Sequence, residues 1–195
     1  MIIAVKDKER VVLGYSNLQS MSKFLKKDYV DEENVPIKIS SNGNVFAFGR
    51  LSRESDLFLY DKTFLEMEIT PKTIVREVIP YIKQRLEENG CPIKDGEWKN
   101  NLIISADNRI YCIDTAFEFF EAYDYHVFSY SSDEFMAVLD ETAEMNPEQR
   151  ITNAVSFIEE IYSGELFPMV ILDTKSKKIK PIYEGGLDSE HNFSI

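Results

Sequence analysis

Blocks of strand-like sequence alternate with pairs of helix-like segments along this chain of 195 residues, and this order constrains its fold more than any other feature. The pattern predicts four strands, two helices, four strands, two helices and two closing strands. A parallel sheet would need a helix after each strand, so the order favours antiparallel strands. The predicted fold class is α+β: a four-layer αββα sandwich, in which two stacked antiparallel sheets are flanked by helices.

The predicted strands are short runs rich in β-branched and aromatic residues. In chain order they span residues 2–5, 11–15, 36–40, 45–49, 102–106, 109–114, 117–120, 126–130, 167–173 and 179–183. Asn42-Gly43 lies between two of these runs and is a strong hairpin signal, and Asp107-Asn108 separates a second pair. Pro181 cannot donate a ladder hydrogen bond, so it predicts that the last strand lies at a sheet edge.

Capping residues and apolar periodicity predict the first two helices. Ser52 caps a segment over residues 53–64. Thr70-Pro71 opens a longer helix, which Asn89-Gly90 ends. Pro80 lies inside that helix and predicts a kink, because proline removes a backbone donor.

The last two helices have their own start signals. Ser131 or Ser132 is the predicted cap of the first. The second opens at Asn146-Pro147, with Asn146 as the cap and Pro147 at the first helical position. The aromatic block before these helices is expected to face the core on one side and to supply an interface on the other.

Composition excludes several classes of partner. The net charge is −12, which argues against nucleic acid and against anionic membranes, because both need a basic surface. The spacing of Cys91 and Cys112 fits no zinc or redox motif, so we expect two reduced thiols in a cytoplasmic protein. The apolar start is too short for a signal peptide. One domain over residues 1–183, followed by a polar tail over residues 184–195, is the expected organisation.

Other catalytic constellations have little material in this sequence. His126 and His191 are the only histidines, which leaves little for a Ser-His-Asp arrangement. The acidic clusters at residues 31–33 and 133–134 lack the spacing of a calcium loop, and no zinc pattern occurs. We therefore expect no metal and no cofactor.

The chain resembles the proteasome β-subunit family, which has the N-terminal-nucleophile hydrolase fold, and it looks closest to simple bacterial members such as the HslV-type peptidase. The resemblance covers residues 1–183. It rests on four segments in order: residues 2–5 with 11–14, residues 37–39 with 46–49, the strand pair around Asp107-Asn108, and residues 146–149 ahead of the strand at 170–173.

The resemblance implies a site at the head of the first strand. The family uses an N-terminal threonine whose own α-amino group helps to activate the hydroxyl. Met1 falls at or beside that position, and its removal would expose Ile2, so neither residue offers a hydroxyl or thiol. Lys38 resembles the family's supporting lysine, although a solvated strand-end lysine is an equal alternative. Ser16 stands where the family has an aspartate.

Two more residues belong to this candidate vestigial site. Ser129 and Ser131 lie where the family supports its active site ahead of a helix, although helix capping is the simpler role for Ser131. No residue of the set is assigned as catalytic.

Three interpretations of function follow. The leading one is a non-catalytic proteasome-like domain that acts in binding or assembly, with homo-oligomers expected from the resemblance and a protein partner possible. The alternative is an N-terminal-nucleophile-type hydrolase, a peptidase or amidase with an atypical active site. A structural subunit in a mixed ring is the third.

Overall fold

The computed structural model describes residues 1–16, 25–26, 29–30, 35–91, 93–162, 166 and 169–182. The predicted polar tail, His191 and the acidic run at residues 31–33 lie outside these residues. So do residues 17–24, 27–28 and 34, which lie between the second and third predicted strands. Within the described part of the chain no helix is long and apolar enough to cross a membrane.

Two five-stranded antiparallel sheets form the middle of the molecule. Sheet A contains, from edge to edge, Tyr125–Phe128 (β10), Ile2–Lys6 (β1), Val11–Tyr15 (β2), Met169–Asp173 (β11) and Lys178–Ile182 (β12). Sheet B contains, in the same sense, Ile37–Ile39 (β5), Val45–Phe48 (β6), Leu102–Ala106 (β7), Arg109–Ile113 (β8) and Phe119–Ala122 (β9). A small hairpin, Leu25–Lys26 (β3) with Tyr29–Val30 (β4), is separate from both.

Helices cover the outer faces of both sheets. They are Arg53–Leu59 (α1), Lys62–Leu65 (α2), Pro71–Thr73 (α3), a π-helical segment Ile74–Val78, Ile79–Glu88 (α4), Ser132–Glu141 (α5) and Pro147–Tyr162 (α6). The segments from Pro71 to Glu88 follow one another without a break.

Three apolar cores lie between the four layers. They arise because successive side chains along a strand point to opposite faces of its sheet. In β1, Ile2 and Ala4 face sheet B, whereas Ile3 and Val5 face α5 and α6. In sheet B, Phe46 and Phe48 face the helices of residues 53–88. Each layer is therefore buried on at least one side, and the predicted αββα sandwich is confirmed.

The turn signals placed the hairpins correctly. Gly43 has φ +90, and β5 pairs with β6 in register around it. Asp107 and Asn108 both have positive φ between β7 and β8, as a tight hairpin turn requires. β12, which carries Pro181, is an edge strand as predicted.

The helix predictions are partly corrected. The single helix predicted over residues 53–64 is two helices, because the Asp61 carboxylate accepts hydrogen bonds from the amides of Thr63 and Phe64 and starts α2. Thr70 caps as predicted, with Pro71 at the first helical position.

The predicted kink at Pro80 corresponds to a π-helical segment. The amide of Ile79 donates to the carbonyl of Ile74, five residues back, just before the proline. A π segment inserts one extra residue into the helical repeat, so the helix absorbs a residue that lacks a donor. Gly90, with φ +67, ends α4 as predicted.

Two local predictions are corrected in part. Ser131 occupies the cap position of α5, as one of the two predicted candidates, but its side chain makes no capping hydrogen bond. The strand predicted at residues 117–120 begins two residues later, because the Asp114 carboxylate accepts from the amides of Ala116 and Glu118 and holds a turn there. Phe117 has φ +62 in that turn.

Candidate functional site

The head of β1 is fixed by hydrogen bonds on the backbone of Met1. Its α-amino group donates to the carbonyl of Ser16 at 3.0 Å, and the amide of Ser16 donates to the carbonyl of Met1 at 3.2 Å. This reciprocal pair continues the β1–β2 ladder by one step, since Ile2 pairs with Tyr15. β1 is paired on its other side with β10, so its first residue is held in a defined place.

Burial makes the α-amino group unusual. Desolvation by burial, together with repulsion from the guanidinium of Arg50, lowers the pKa of the Met1 amine from 8.0 to about 6. The amine is therefore mostly neutral at pH 7.4. A neutral amine at the head of this strand can accept a proton from a neighbouring hydroxyl.

The hydroxyl of Ser16, the residue paired with Met1, is hydrogen-bonded to another part of the chain. Ser16 is only 1 % exposed, and its Oγ donates to the carbonyl of Leu166. A serine with its proton held by a backbone carbonyl carries no negative charge. It therefore cannot supply the electrostatic support that a carboxylate would give at this position.

Lys38 lies on the helix-facing side of sheet B. It pairs with Phe46, whose side chain belongs to the core beneath α1, whereas its neighbour Ile37 faces sheet A. Its Nζ lies 5.3 Å from the centre of the Tyr60 ring, within cation–π range. The described contact of Lys38 is therefore with Tyr60, which directly follows α1, and Arg50 is a cation that acts on the Met1 amine.

The serines ahead of α5 form a local turn beside the head of β1. Ser129 follows Phe128, which pairs with Ile2. Ser132 Oγ accepts from the amide of Ser129 at 3.0 Å and donates to its carbonyl at 2.7 Å. The amide of Ser131 reaches Ser129 Oγ at 3.5 Å. Ser132, and not Ser131, therefore makes the hydrogen bonds that shape this turn.

Sequence reasoning missed Arg50 and the residues that position it. The side chain of Asn100 is 2 % exposed and clamps the backbone of Arg50, accepting from its amide at 3.2 Å and donating to its carbonyl at 3.1 Å. Gly49 precedes Arg50, and its amide donates to the carbonyl of Asn101 at 2.9 Å. The only sequence signals were a glycine after an apolar strand and two adjacent asparagines, which are common in loops.

The described residues were expected to hold neither a metal nor a cofactor, and that expectation stays a prediction. Among residues 1–16, 35–91, 93–162 and 169–182, no three His, Cys, Asp or Glu side chains gather as metal ligands would. Cys91 and Cys112 are both buried free thiols.

His126 closes the space between the sheets at one edge. Its ring makes edge-on contacts with Phe120 at 4.8 Å and Phe128 at 4.5 Å between centres. Burial lowers its pKa from 6.5 to about 4, so it is neutral at pH 7. A neutral ring packed edge-on against two phenylalanines has a structural role here.

Comparison with known proteins identifies structures of the same fold. No protein-family model matches the chain, and no curated protein matches it either. The BPH protein of Thiobacillus denitrificans superposes with a TM-score of 0.64 at 13 % identity, over 88 % of this chain and 96 % of that one. Its complex with epoxomicin gives the same TM-score at 12 % identity. Anbu, an ancestral beta-subunit from Yersinia bercovieri, gives 0.57 at 12 % identity, over 95 % of this chain and 87 % of that one.

These matches correct the expected resemblance. The interpretation that the chain stands closest to the HslV-type peptidase is wrong, because the structures that match include BPH and Anbu at only 12–13 % identity and no family model matches. Identities of 12–13 % show a shared architecture and say nothing of activity. What the sandwich topology and these neighbours establish together is a proteasome-like fold.

Proposed function

We propose that this chain is a non-catalytic proteasome-like domain that acts in binding or assembly. The observation that carries the proposal is the chemistry at the head of β1. Met1 offers a thioether and Ile2 a fully buried hydrocarbon, and neither can attack a carbonyl. The neighbouring Ser16 hydroxyl is buried and donates to Leu166. The fold's scaffold for a nucleophile is present, and the nucleophile is missing from these positions.

The alternative is a hydrolase of the same fold with an atypical active site. The lowered pKa of the Met1 amine favours it, because a neutral amine can act as a base. That base needs a hydroxyl or thiol within reach. Ser16 is the candidate, and it would have to break its hydrogen bond to Leu166 first.

Two assays on the native chain separate these functions. Intact mass first defines which residue begins the purified protein. Fluorogenic peptides and epoxomicin, which is seen in complex with the Thiobacillus protein, are then applied. We expect no turnover and no mass increase, and the Thiobacillus protein serves as the positive control for epoxomicin binding alone. Turnover that Ser16→Ala abolishes, or a covalent adduct, would establish the hydrolase instead.

Homo-oligomerisation is the second part of the proposal. Phe157 and Ile161 lie one turn apart on α6 and are 45 % and 52 % exposed, so they place two apolar side chains next to each other on the outer surface of this helix. The Yersinia neighbour is described as a beta-subunit, a component of an assembly. We expect light scattering to give a mass above that of one chain, and Phe157→Glu to reduce it. Monomer at all concentrations would contradict this part alone.

A further inference from the structure

A cleft opens at the end of the sandwich opposite Met1. Its volume is about 410 Å³, which lies within the range of about 300–1,000 Å³ for ligand pockets. Its walls come from the β1–β2 turn, the β9–β10 turn and the connection between α5 and α6. β1 separates it from Met1 by five residues, or about 17 Å at about 3.3 Å per residue.

The acidic side chains of the cleft are already engaged. Asp7 Oδ1 accepts from the amide of Glu9 at 2.7 Å and from the amide of Arg10 at 2.9 Å. Asp124 Oδ2 accepts from the guanidinium of Arg150 at 2.9 Å. These carboxylates therefore hold the walls in place, and each has a cation or backbone donors of its own.

The lysines of the cleft are not engaged in the same way. Within the described part of the chain, neither Lys6 nor Lys8 forms an ion pair with a carboxylate. Lys6 Nζ instead lies 5.6 Å from the centre of the Tyr123 ring, which positions the ammonium group by a cation–π contact. The cleft is lined by three cations (Lys6, Lys8 and Arg150) and two carboxylates (Asp7 and Asp124), so its lining has a net charge of +1 on a protein whose net charge is −12.

Apolar surface lies beside these charges. Tyr123 is 92 % exposed and Met145 is 44 % exposed, and both line the cleft. The floor is rigid, because Arg150 is 3 % exposed and is fixed by the carbonyl of Leu139 at 2.8 Å and the ring of Tyr125 at 5.4 Å. Exposed cations, an aromatic ring and a thioether on a fixed floor suit a ligand that has both charge and hydrocarbon.

We propose that this cleft binds an acidic peptide segment of a partner protein. Carboxylates of the segment pair with Lys6 and Lys8, and an adjacent apolar side chain packs on Tyr123 and Met145. A simple inorganic anion would use the lysines and leave the apolar wall bare. This inference extends the proposed binding function by naming a class of partner. Peptide binding in the cleft does not depend on whether the head of β1 is catalytic. A failure of peptide binding is therefore distinguishable from a failure of the non-catalytic assignment.

Fluorescence polarisation with short labelled peptides tests the charge requirement. The probe is an amidated peptide with the repeat Glu-Leu-Glu, and the control is its Gln-Leu-Gln counterpart. We expect binding of the acidic probe alone, weakening as NaCl rises from about 50 mM to about 300 mM, because exposed ion pairs are screened by salt. Equal binding of the two peptides, or absence of binding by the acidic probe, would overturn the proposal.

Variants test the location. We expect Lys6→Ala with Lys8→Ala to weaken the acidic probe by about tenfold, from two exposed ion pairs. Lys72→Ala with Lys99→Ala removes the same charge from exposed positions outside the cleft and should leave affinity unchanged. Undiminished binding by the cleft variant would place the site elsewhere.

Further variants keep the test decisive. If the double variant does not fold, as judged by circular dichroism, Lys8→Ala alone serves, because Lys8 is an exposed turn residue. Tyr123→Ala should weaken binding while the salt dependence remains. Competition by inorganic phosphate at concentrations below the peptide's own would show a plain anion site and refute the peptide assignment.

Discussion

Gly49 offers a sharp test of how the region beside Met1 is packed. A Cβ built on Gly49 would lie 1.8 Å from Asn101 Oδ1 and 2.8 Å from Asn101 Cγ. Gly49 is not among the residues with positive φ, so alanine is strained there only by this contact. The prediction is that Gly49→Ala destabilises the fold because the whole Asn101 amide must move.

The size of the effect follows from overpacking. Inserting a methyl group into a filled site costs about 1–3 kcal/mol. Asn101 Oδ1 is buried and has no hydrogen-bond partner among the described residues, so its displacement breaks no hydrogen bond and the cost comes from packing alone. We expect a loss of about 2 kcal/mol in the free energy of unfolding, which lowers the Tm by roughly 4–8 °C for a chain of this length.

A double-mutant cycle assigns the cause. Asn101→Ala removes the clashing amide, so Gly49→Ala in that background should cost much less than in the native chain. Gly14→Ala is the matched control, because its Cβ would meet the side chains of Ile151 and Met169 at 2.8 Å and does not involve Asn101. Its cost should be the same with and without Asn101→Ala.

Urea denaturation of the native chain, the two single variants and the double variant gives the four free energies of unfolding. A coupling free energy near zero between Gly49→Ala and Asn101→Ala would refute this account of the packing.

Three further predictions concern buried polar groups. Because burial lowers the pKa of His126 to about 4 in the folded state, the unfolded state binds more protons between about pH 6.5 and pH 4, so stability should fall as pH falls through that window. His126→Phe should flatten that dependence in thermal melts, and an unchanged slope would contradict it. Arg150→Met should cost roughly 2 kcal/mol in urea denaturation, since it removes a bond from a charged donor to the Leu139 carbonyl and leaves Asp124 unpaired. Cys112 is fully buried and burial raises the pKa of its thiol, so mass spectrometry should show iodoacetamide labelling only after unfolding; rapid native labelling would count against this core.

The sequence predicted the strands and helix starts whose signals are local. Asn42-Gly43 and Asp107-Asn108 determine their turns by backbone preference alone, and Thr70-Pro71 supplies a cap and a fixed φ at the helix start. β1 is apolar on both faces, which is consistent with the predicted layers, because one face packs in the core between the sheets and the other in the core beneath α5 and α6.

Errors arose where tertiary contacts set the conformation. Phe117 looked like a strand residue because it is aromatic, but its ring stacks on Trp98 at 5.5 Å from within a turn. The role of Ser132 at the start of α5 depends on the path of the chain out of β10. Arg50, whose charge lowers the pKa of the Met1 amine, has its backbone held by Asn100, fifty residues away. No periodicity within a single segment reports such contacts.

The two sheets differ in how much of the chain must exist before they can close. Sheet B draws all its strands from residues 37–122, and its helical cover comes from the same stretch. Sheet A joins β2 directly to β11, so its middle is incomplete until residue 173 has left the ribosome. During synthesis, one half of the sandwich can mature while the other still displays the unpaired edge of β2. That interval is when a nascent chain is most open to pairing with a neighbour.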